Sequence, residues 1–411
     1  MGKLAKTIDV SRPANKIDGI KQWLKENYVI KLNTFDHDKS YIEATADNPI
    51  KYEYSITDND IFLHMIDDGV NCSKSLLKAL LSSPNQIETY NPISEYMDSL
   101  KGKYKGLSQI EIICKKIKAH EFGKSENECQ ERFEYIFKKW LVACIACIKG
   151  VKPNDVALGL VNAQGGIGKT TFFENLVPGE LKEYYTISSK DEKLFKMTES
   201  FTKKFIINFD EFVGISKSTE NEFKNNMSRS TLDIKLSGDI FTQRVHRIAN
   251  SVFTSNKTHG QGGFIFTNDN GLLRRLATIE IDSMDLFTTK IDIDQLWAEV
   301  LMMYEGGFDY QWNQKDFHDF TEYNKRYIIE TNAFRLIKEH YRQPESNEDS
   351  IFMMPIQIVR ELRDRKLIKN GWTKVDEVTI GQALTLQGYN RHMKRIDNIP
   401  RYGYDVIPLF Q

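Results

Sequence analysis

Cysteine is scarce and odd in number, with Cys72, Cys114, Cys129, Cys144 and Cys147 the only five in 411 residues. That excludes the disulfide framework of a small secreted scaffold. Cys144 and Cys147 have the two-residue gap of a redox or zinc motif. They lie, however, in the apolar helical stretch from Trp140 to Ile148, with no second closely spaced Cys or His pair, and read as small residues on a buried helix face. Prolines number only 10, and neither a repeat nor a low-complexity tract occurs, so no long disordered segment is expected. Charge of one sign is lacking too: 56 basic residues face 57 acidic ones. Whole-chain electrostatics therefore favour no polyanionic partner, and any such site must be local. No apolar run approaches the ~18 residues of a membrane span, and no signal-peptide pattern is present, which predicts a cytoplasmic protein with no membrane partner.

What the chain does have is a glycine-rich loop in a telling place. Residues Ala163 to Thr170 read Ala-Gln-Gly-Gly-Ile-Gly-Lys-Thr. Before them stands the apolar run Val156 to Val161, and after them Phe172, Phe173 and Leu176 recur at helical spacing. Strand, loop and helix in that order make a cradle for the phosphates of a nucleoside triphosphate. Backbone N–H groups turn inward at Gly165, Gly166 and Gly168, Lys169 reaches the terminal phosphates, and the Thr170 hydroxyl meets Mg²⁺. Gln164, Ile167 and Thr171 complete the loop. Ala163 stands where the usual signature has Gly.

Around this loop the chain divides by pattern. Residues 1–90 are polar and read as a helical or α+β module, with a strand-like run at Lys51 to Ile56 and a helix at Ser73 to Leu81. Residues 91–150 form a helical lead-in: Asn91-Pro92 interrupts regular structure where a linker fits, and Glu128 to Ile148 reads as one long helix. Residues 151–345 alternate strands and helices as a three-layer α/β core does. Residues 346–411 place helices at Pro355 to Arg365 and Thr379 to Leu386 before an extended tail, the order of a winged helix. Ile351 to Gln411 holds ten Lys and Arg against six Asp and Glu, a net +4.

Other candidates for chemistry follow the loop. Lys204 to Phe209 is an apolar strand, expected beside the loop's strand, that ends in Asp210-Glu211. The Asp would hold Mg²⁺ and the Glu would polarise the attacking water. Asn256 closes the run Ile248 to Thr254 and could orient that water. Arg274 and Arg275 could stabilise transition-state charge, in cis or from a neighbouring subunit. Lys235, Arg244, His246 and Arg247 lie on or beside a hairpin predicted from Thr231 to Val245, turning at Ser237-Gly238-Asp239. They suit either phosphate-backbone contacts or a charged, protected edge. Asp294 to Tyr304 and Phe317 to Tyr341 read as helices.

Taken together these residues resemble the virulence-associated protein E family of mobile elements and prophages, which is similar to the superfamily 3 helicases of AAA+ type. The likeness runs over residues 90–340 through Asn91-Pro-Ile-Ser-Glu-Tyr, the helix at Trp140, the phosphate loop, Asp210-Glu211, Thr254-Ser255-Asn256, and Gly271 with Arg274-Arg275. The resemblance implies an AAA+-type P-loop core that binds ATP and Mg²⁺ and works on single-stranded or forked DNA during replication, as a ring, expected to be a homo-hexamer. It implies that Asp210 and Glu211 are the Walker B pair, Asn256 sensor 1, Arg274 or Arg275 a finger acting in trans, and the hairpin a DNA grip. Thr170 and Asp210 would then hold the metal. The family's Gly-Asn-Arg-Arg-Phe is Gly271-Leu-Leu-Arg-Arg-Leu here. Family members often carry a primase upstream; no cluster of primase acidic residues precedes the loop, so priming is expected from a separate chain. Two alternatives share the core: an ATP-switched assembly or defence protein that moves no DNA, and an origin-binding initiator that uses the basic C-terminal module.

Overall fold

The computed structural model describes residues 13–36, 40–188, 194–212, 217–235, 242–266, 269–285, 291–345, 348–368 and 375–410. The strands, in chain order, begin with β1 (Tyr28–Asn33), β2 (Ser40–Ala44) and β3 (Glu88–Tyr90). Next come β4 (Ile117–Ala119), β5 (Ala157–Val161), β6 (Tyr185–Ser188) and β7 (Ile206–Phe209). A hairpin of β8 (Thr231–Ile234) and β9 (Gln243–His246) precedes β10 (Asn250–Ser255) and β11 (Leu276–Met284). The chain closes with β12 (Tyr341–Arg342), β13 (Ile351–Met353), β14 (Arg391–Ile396) and β15 (Ile399–Pro408).

The protein is mixed α/β with several sheets. Its largest has the order β4-β11-β5-β10-β7-β6, all parallel except the edge strand β4. β5 is wholly buried because its Ala-Leu-Gly-Leu-Val presents an apolar group to both faces. Gly159 is required at its centre, since a Cβ there would stand 1.9 Å from the Phe253 ring on β10. One face packs Phe172, Phe173 and Trp297 against the long helix Glu126–Ile148. The other packs Phe201, Phe253, Phe264 and Tyr327. Each such side chain contributes about 1.5–3 kcal/mol by burial.

The long helix starts two residues before the expected Glu128, because Ser125 and Glu128 form a capping box across its first turn. Its Cys144 and Cys147 are buried core. Asn91 opens no linker. Its side chain accepts from the backbone N–H groups of Ile93 and Ser94, and the helix Pro92–Ser99 buries Ile93, Tyr96 and Met97 in the main core. Lys51 to Ile56 is no strand: Lys51, Glu53 and Tyr54 face solvent, and only Tyr52 and Ile56 touch the N-terminal cluster. The expected helix from Phe317 to Tyr341 is broken. Its first part, Gln314–Asn324, stops where the buried Asn324 amide donates to Leu273 O and Leu276 O; a short 3₁₀ turn follows before Asn332–His340.

Helices Pro355–Asp364 and Glu377–Leu386 precede a β14–β15 hairpin whose turn residues, Asp397 and Asn398, both have positive φ (51° and 62°), as a tight hairpin turn demands. Strands β12 and β13 flank β15, and the unit has its own core around Ile358, Leu362, Ile380 and Leu384.

Candidate functional site

Three strand ends build the site. β5 runs into the glycine loop, β7 into Asp210-Glu211, and β10 into Asn256. The expectation that β7 lies beside β5 is corrected: β10 intervenes, pairing with both. That strand therefore stitches the two motifs together.

Gly168 (φ 96°) caps the helix Lys169–Asn175 in the left-handed region, and Gly166 (φ 77°) shares that geometry. A Cβ at Gly165 or Gly166 would meet nothing within 4 Å, so the space over the loop is open. Ala163 does not have positive φ and is exposed, which is why Ala serves there. Gln164 and Thr171 are exposed as well, whereas Ile167 packs on the core. The Lys169 side chain is only 6% exposed. Its Nζ donates to Asn162 O (3.3 Å), Gln164 O (3.2 Å) and Asn256 Oδ1 (2.8 Å). All three acceptors are neutral. Burial pulls the ammonium below the ordinary lysine range, against a partial upward pull from the Asp210 charge. A desolvated cation beside an open glycine loop at a helix N-terminus is an arrangement that suits an anion.

Thr170 Oγ1 donates to Asp210 Oδ1 at 2.8 Å, and Thr254 Oγ1 donates to the same oxygen. Thr254 also accepts from Glu211 N (3.2 Å), while its carbonyl accepts from Phe212 N (2.7 Å). These bonds hold Glu211 at φ 48°, a conformation that costs a non-glycine residue about 1–3 kcal/mol. The strained turn leaves the Glu211 side chain exposed. Hydroxyl and carboxylate meeting at Thr170 and Asp210 are the hard oxygen donors that suit Mg²⁺, so the donor set fits that ion. Sequence reasoning missed Thr254 as a part of the site, and also Asn162, whose Oδ1 accepts from Gln164 N (2.7 Å) and whose amide donates to Ile281 O (2.6 Å). A polar residue on a buried strand was the available signal for Thr254.

Two sets of candidates lie elsewhere. Arg274 and Arg275 precede β11, whose first residue pairs with Ala157 at the start of β5; the glycine loop leaves the other end of that strand. Five residues at ~3.3 Å each separate the two ends, which excludes a role in cis. Arg275 is also committed internally, donating to Gly271 O and to Ser228 Oγ (2.6 Å), and is buried. Arg274 is exposed, its guanidinium 5.7 Å from the Phe317 ring.

The hairpin forms as β8 with β9, Asp233 facing Arg244, while the expected turn at Ser237-Gly238-Asp239 lies outside the described residues. Lys235 and His246 are exposed, and Arg244 is ion-paired with Asp233 at 2.9 Å. Arg247 is corrected: it is 1% exposed, donates to Asn154 O (2.9 Å) and to Cys147 Sγ (3.3 Å), and cannot reach a phosphate backbone.

The protein is therefore of mixed α/β class, with a glycine loop, a buried lysine and a Thr–Asp pair gathered at one end of its parallel sheet. The chain matches the Virulence-associated protein E-like domain over residues 100–328, more than half its length, and belongs to that family. No curated protein matches it. Two apo structures of the NrS-1 C-terminal region are distantly similar, with TM-scores of 0.38 and 0.39 at 13% and 12% identity; each alignment covers 94% of this chain and 97% of the other. Among the described residues no helix is long and apolar enough to cross a membrane.

Proposed function

We propose that this chain is a Mg²⁺-dependent ATPase with an AAA+-type P-loop core, a DNA-coupled motor for replication of a mobile element that works as a ring. The observation that carries the reading is Lys169: a buried ammonium with neutral partners alone, facing an open glycine loop, one residue from a hydroxyl bonded to Asp210. Lys169 would bind the terminal phosphates, and Thr170 with Asp210 would hold Mg²⁺, which when bound neutralises phosphate charge. Glu211 would orient and deprotonate water, helped by Asn256, which also fixes Lys169. A cavity of about 310 Å³ beside Gly168 and Thr171, lined by Ile113, Phe172, Leu176 and Met284, offers an apolar seat for the base. Arg274, remote from its own loop and exposed, would serve a neighbouring subunit's site.

The DNA contact is better supported in the C-terminal module than in the β8–β9 hairpin, and a winged helix is the proposed form of that module. Arg391, Arg395 and Arg401 are exposed on β14 and β15 together with Ile396, Ile399 and Tyr402, Arg391 stacks 5.2 Å from the Tyr402 ring, and Lys394 is ion-paired with Asp405 at 3.0 Å. Basic residues interleaved with apolar and aromatic ones suit a nucleic-acid strand. This favours an initiator-like role for the module alongside the motor. The test is ATP hydrolysis by the purified chain with and without single-stranded DNA, beside Lys169→Ala, Glu211→Gln and a triple Arg391, Arg395, Arg401→Ala variant. DNA-stimulated turnover that the first two variants abolish, with stimulation alone lost in the third, is expected. Turnover indifferent to DNA would leave the assembly-switch reading, and none at all would overturn the ATPase.

A further inference from the structure

Glu280, on β11 opposite Val161, is buried at the strand end where β5 enters the glycine loop, yet it takes no part in the site above. Two histidines converge on it. His259 belongs to the 3₁₀ turn that follows Asn256, and its Nδ1 lies 3.6 Å from Glu280 Oε2. His120 follows β4, and its backbone N–H donates to Glu280 O at 2.8 Å. One ligand-capable atom from each of the three lies within 4.8 Å of the other two.

We propose that His120, His259 and Glu280 bind a divalent transition-metal ion of the zinc class. The chemistry of the set is specific: two imidazoles and one carboxylate suit a borderline ion, whereas magnesium or calcium prefers oxygen alone. The supporting contacts are those of a ligand shell. His120 Nδ1 is 2.6 Å from Asp282 Oδ1, so with its proton on Nδ1 the ring turns the Nε2 lone pair to the ion. Tyr327 Oη donates to Glu280 Oε2 at 2.7 Å, orienting the carboxylate. Phe122 packs edge-on against His259, with ring centroids 4.4 Å apart.

Charge is compatible as well. Glu280 and Asp282 are two carboxylates; the cations near them are Arg326, whose guanidinium stacks on Phe122 and Tyr323, and Lys118, which interacts with Asp282 while paired with Glu126. Tetrahedral zinc, with bonds of ~2.0–2.1 Å, sets its ligands about 3.3–3.5 Å apart. The three ligand atoms lie within 4.8 Å of one another and the His259–Glu280 pair is already at 3.6 Å, so the set closes by up to about 1.3–1.5 Å through side-chain rotation of the two histidines. Water would complete the coordination. An ordinary surface His–Glu pair explains the 3.6 Å contact but not the second histidine with its carboxylate behind it. Bound there, the ion would tie the loop that carries Asn256 to β11 and to the segment after β4.

The test uses the full chain, stripped with chelator and titrated with Zn²⁺ by calorimetry and with Co²⁺ by visible absorption. One equivalent of Zn²⁺ is expected, with a Co²⁺ spectrum of nitrogen and oxygen ligands and no thiolate charge-transfer band. His259→Ala and His120→Ala should abolish binding, and Asp282→Asn should weaken it about 10–100-fold. His259 is exposed, so its variant should keep the wild-type circular dichroism and show that lost binding is not lost folding. Less than one equivalent in the wild type, unchanged binding in the histidine variants, or a thiolate band would overturn the proposal.

Discussion

Lys139 and Lys169 are both buried lysines, and their surroundings are opposites. Lys139, on the long helix, donates to Asp316 Oδ2 at 2.9 Å and to Tyr135 Oη at 2.8 Å, while Tyr135 Oη bonds the other Asp316 oxygen. Burial alone would lower its pKa, but the bonds to Tyr135 and Asp316 and the Asp316 charge outweigh it and leave the group above the ordinary lysine value. At Lys169 burial prevails. The first cation is closed by a carboxylate of the chain itself and is structural; the second has only neutral hydrogen-bond acceptors and, in the reading proposed above, would meet a phosphate. Burial without a carboxylate is not enough to define a site, since Arg247 also has neutral hydrogen-bond acceptors. What marks Lys169 is the open loop in front of it, where Arg247 is enclosed by Phe201 and the helix C-terminus.

That contrast is broken most sharply by activity. Lys169→Met and Glu211→Gln should each lower ATP turnover by at least about 10²–10³-fold, the loss typical of one preorganised transition-state group. Stability in the absence of nucleotide should stay within about 1 kcal/mol of wild type for Lys169→Met, because an unmatched charge leaves with the hydrogen bonds. A Lys169→Met protein that melts far below wild type would mean that this lysine is structural like Lys139. Arg274→Ala should cost about 10³-fold in turnover at unchanged melting temperature, and mixing it with Lys169→Met subunits should restore activity if the finger acts in trans.

Lys139→Met reverses the pattern. It strands a buried carboxylate at Asp316 and should destabilise by about 3–5 kcal/mol, read in a urea melt. Per active molecule, turnover should be retained. Arg275→Ala should fall between, at about 1–3 kcal/mol, because Gly271 O and Ser228 Oγ lose a charged donor.

The sequence made the loop legible because strand, glycines and helix are contiguous, and each obeys a local rule. Asp210-Glu211 was legible as a strand terminus, but its place in the sheet was not: order depends on which strand slots between β5 and β7, a long-range choice with no local signature. Thr254 stayed hidden for that reason, as its hydroxyl matters only once β10 lies beside Asp210. Arg275 and Arg247 looked like surface charge because charge in sequence carries no direction; their burial depends on acceptors supplied from elsewhere in the fold, Ser228 Oγ for Arg275 and Asn154 O for Arg247. The break at Asn324 was likewise invisible, since the helical periodicity continues through it while the amide is bonded to the turn before β11.

The smallest effect is the most diagnostic of the comparison, because its sign differs between the two lysines. Lys139 has a folded-state pKa above its unfolded value, so its stabilisation is fully present below the unfolded pKa, ~10.4, and is lost as pH rises through the folded one. Lys169 is shifted the other way. Below its folded pKa the protein bears the cost of a desolvated ammonium, and that cost is relieved as pH climbs toward the unfolded value. Wild type minus Lys139→Met should therefore shrink in melting temperature across the alkaline range, while wild type minus Lys169→Met should grow, each by roughly 1 °C per kcal/mol for a chain of 411 residues. Subtracting each variant removes the titrations the proteins share. Saturating nucleotide should cancel the Lys169 slope and leave the Lys139 slope alone, because a phosphate would give Lys169 the counter-charge that Asp316 already gives Lys139. Parallel slopes in the absence of nucleotide would mean that the two cations are held alike.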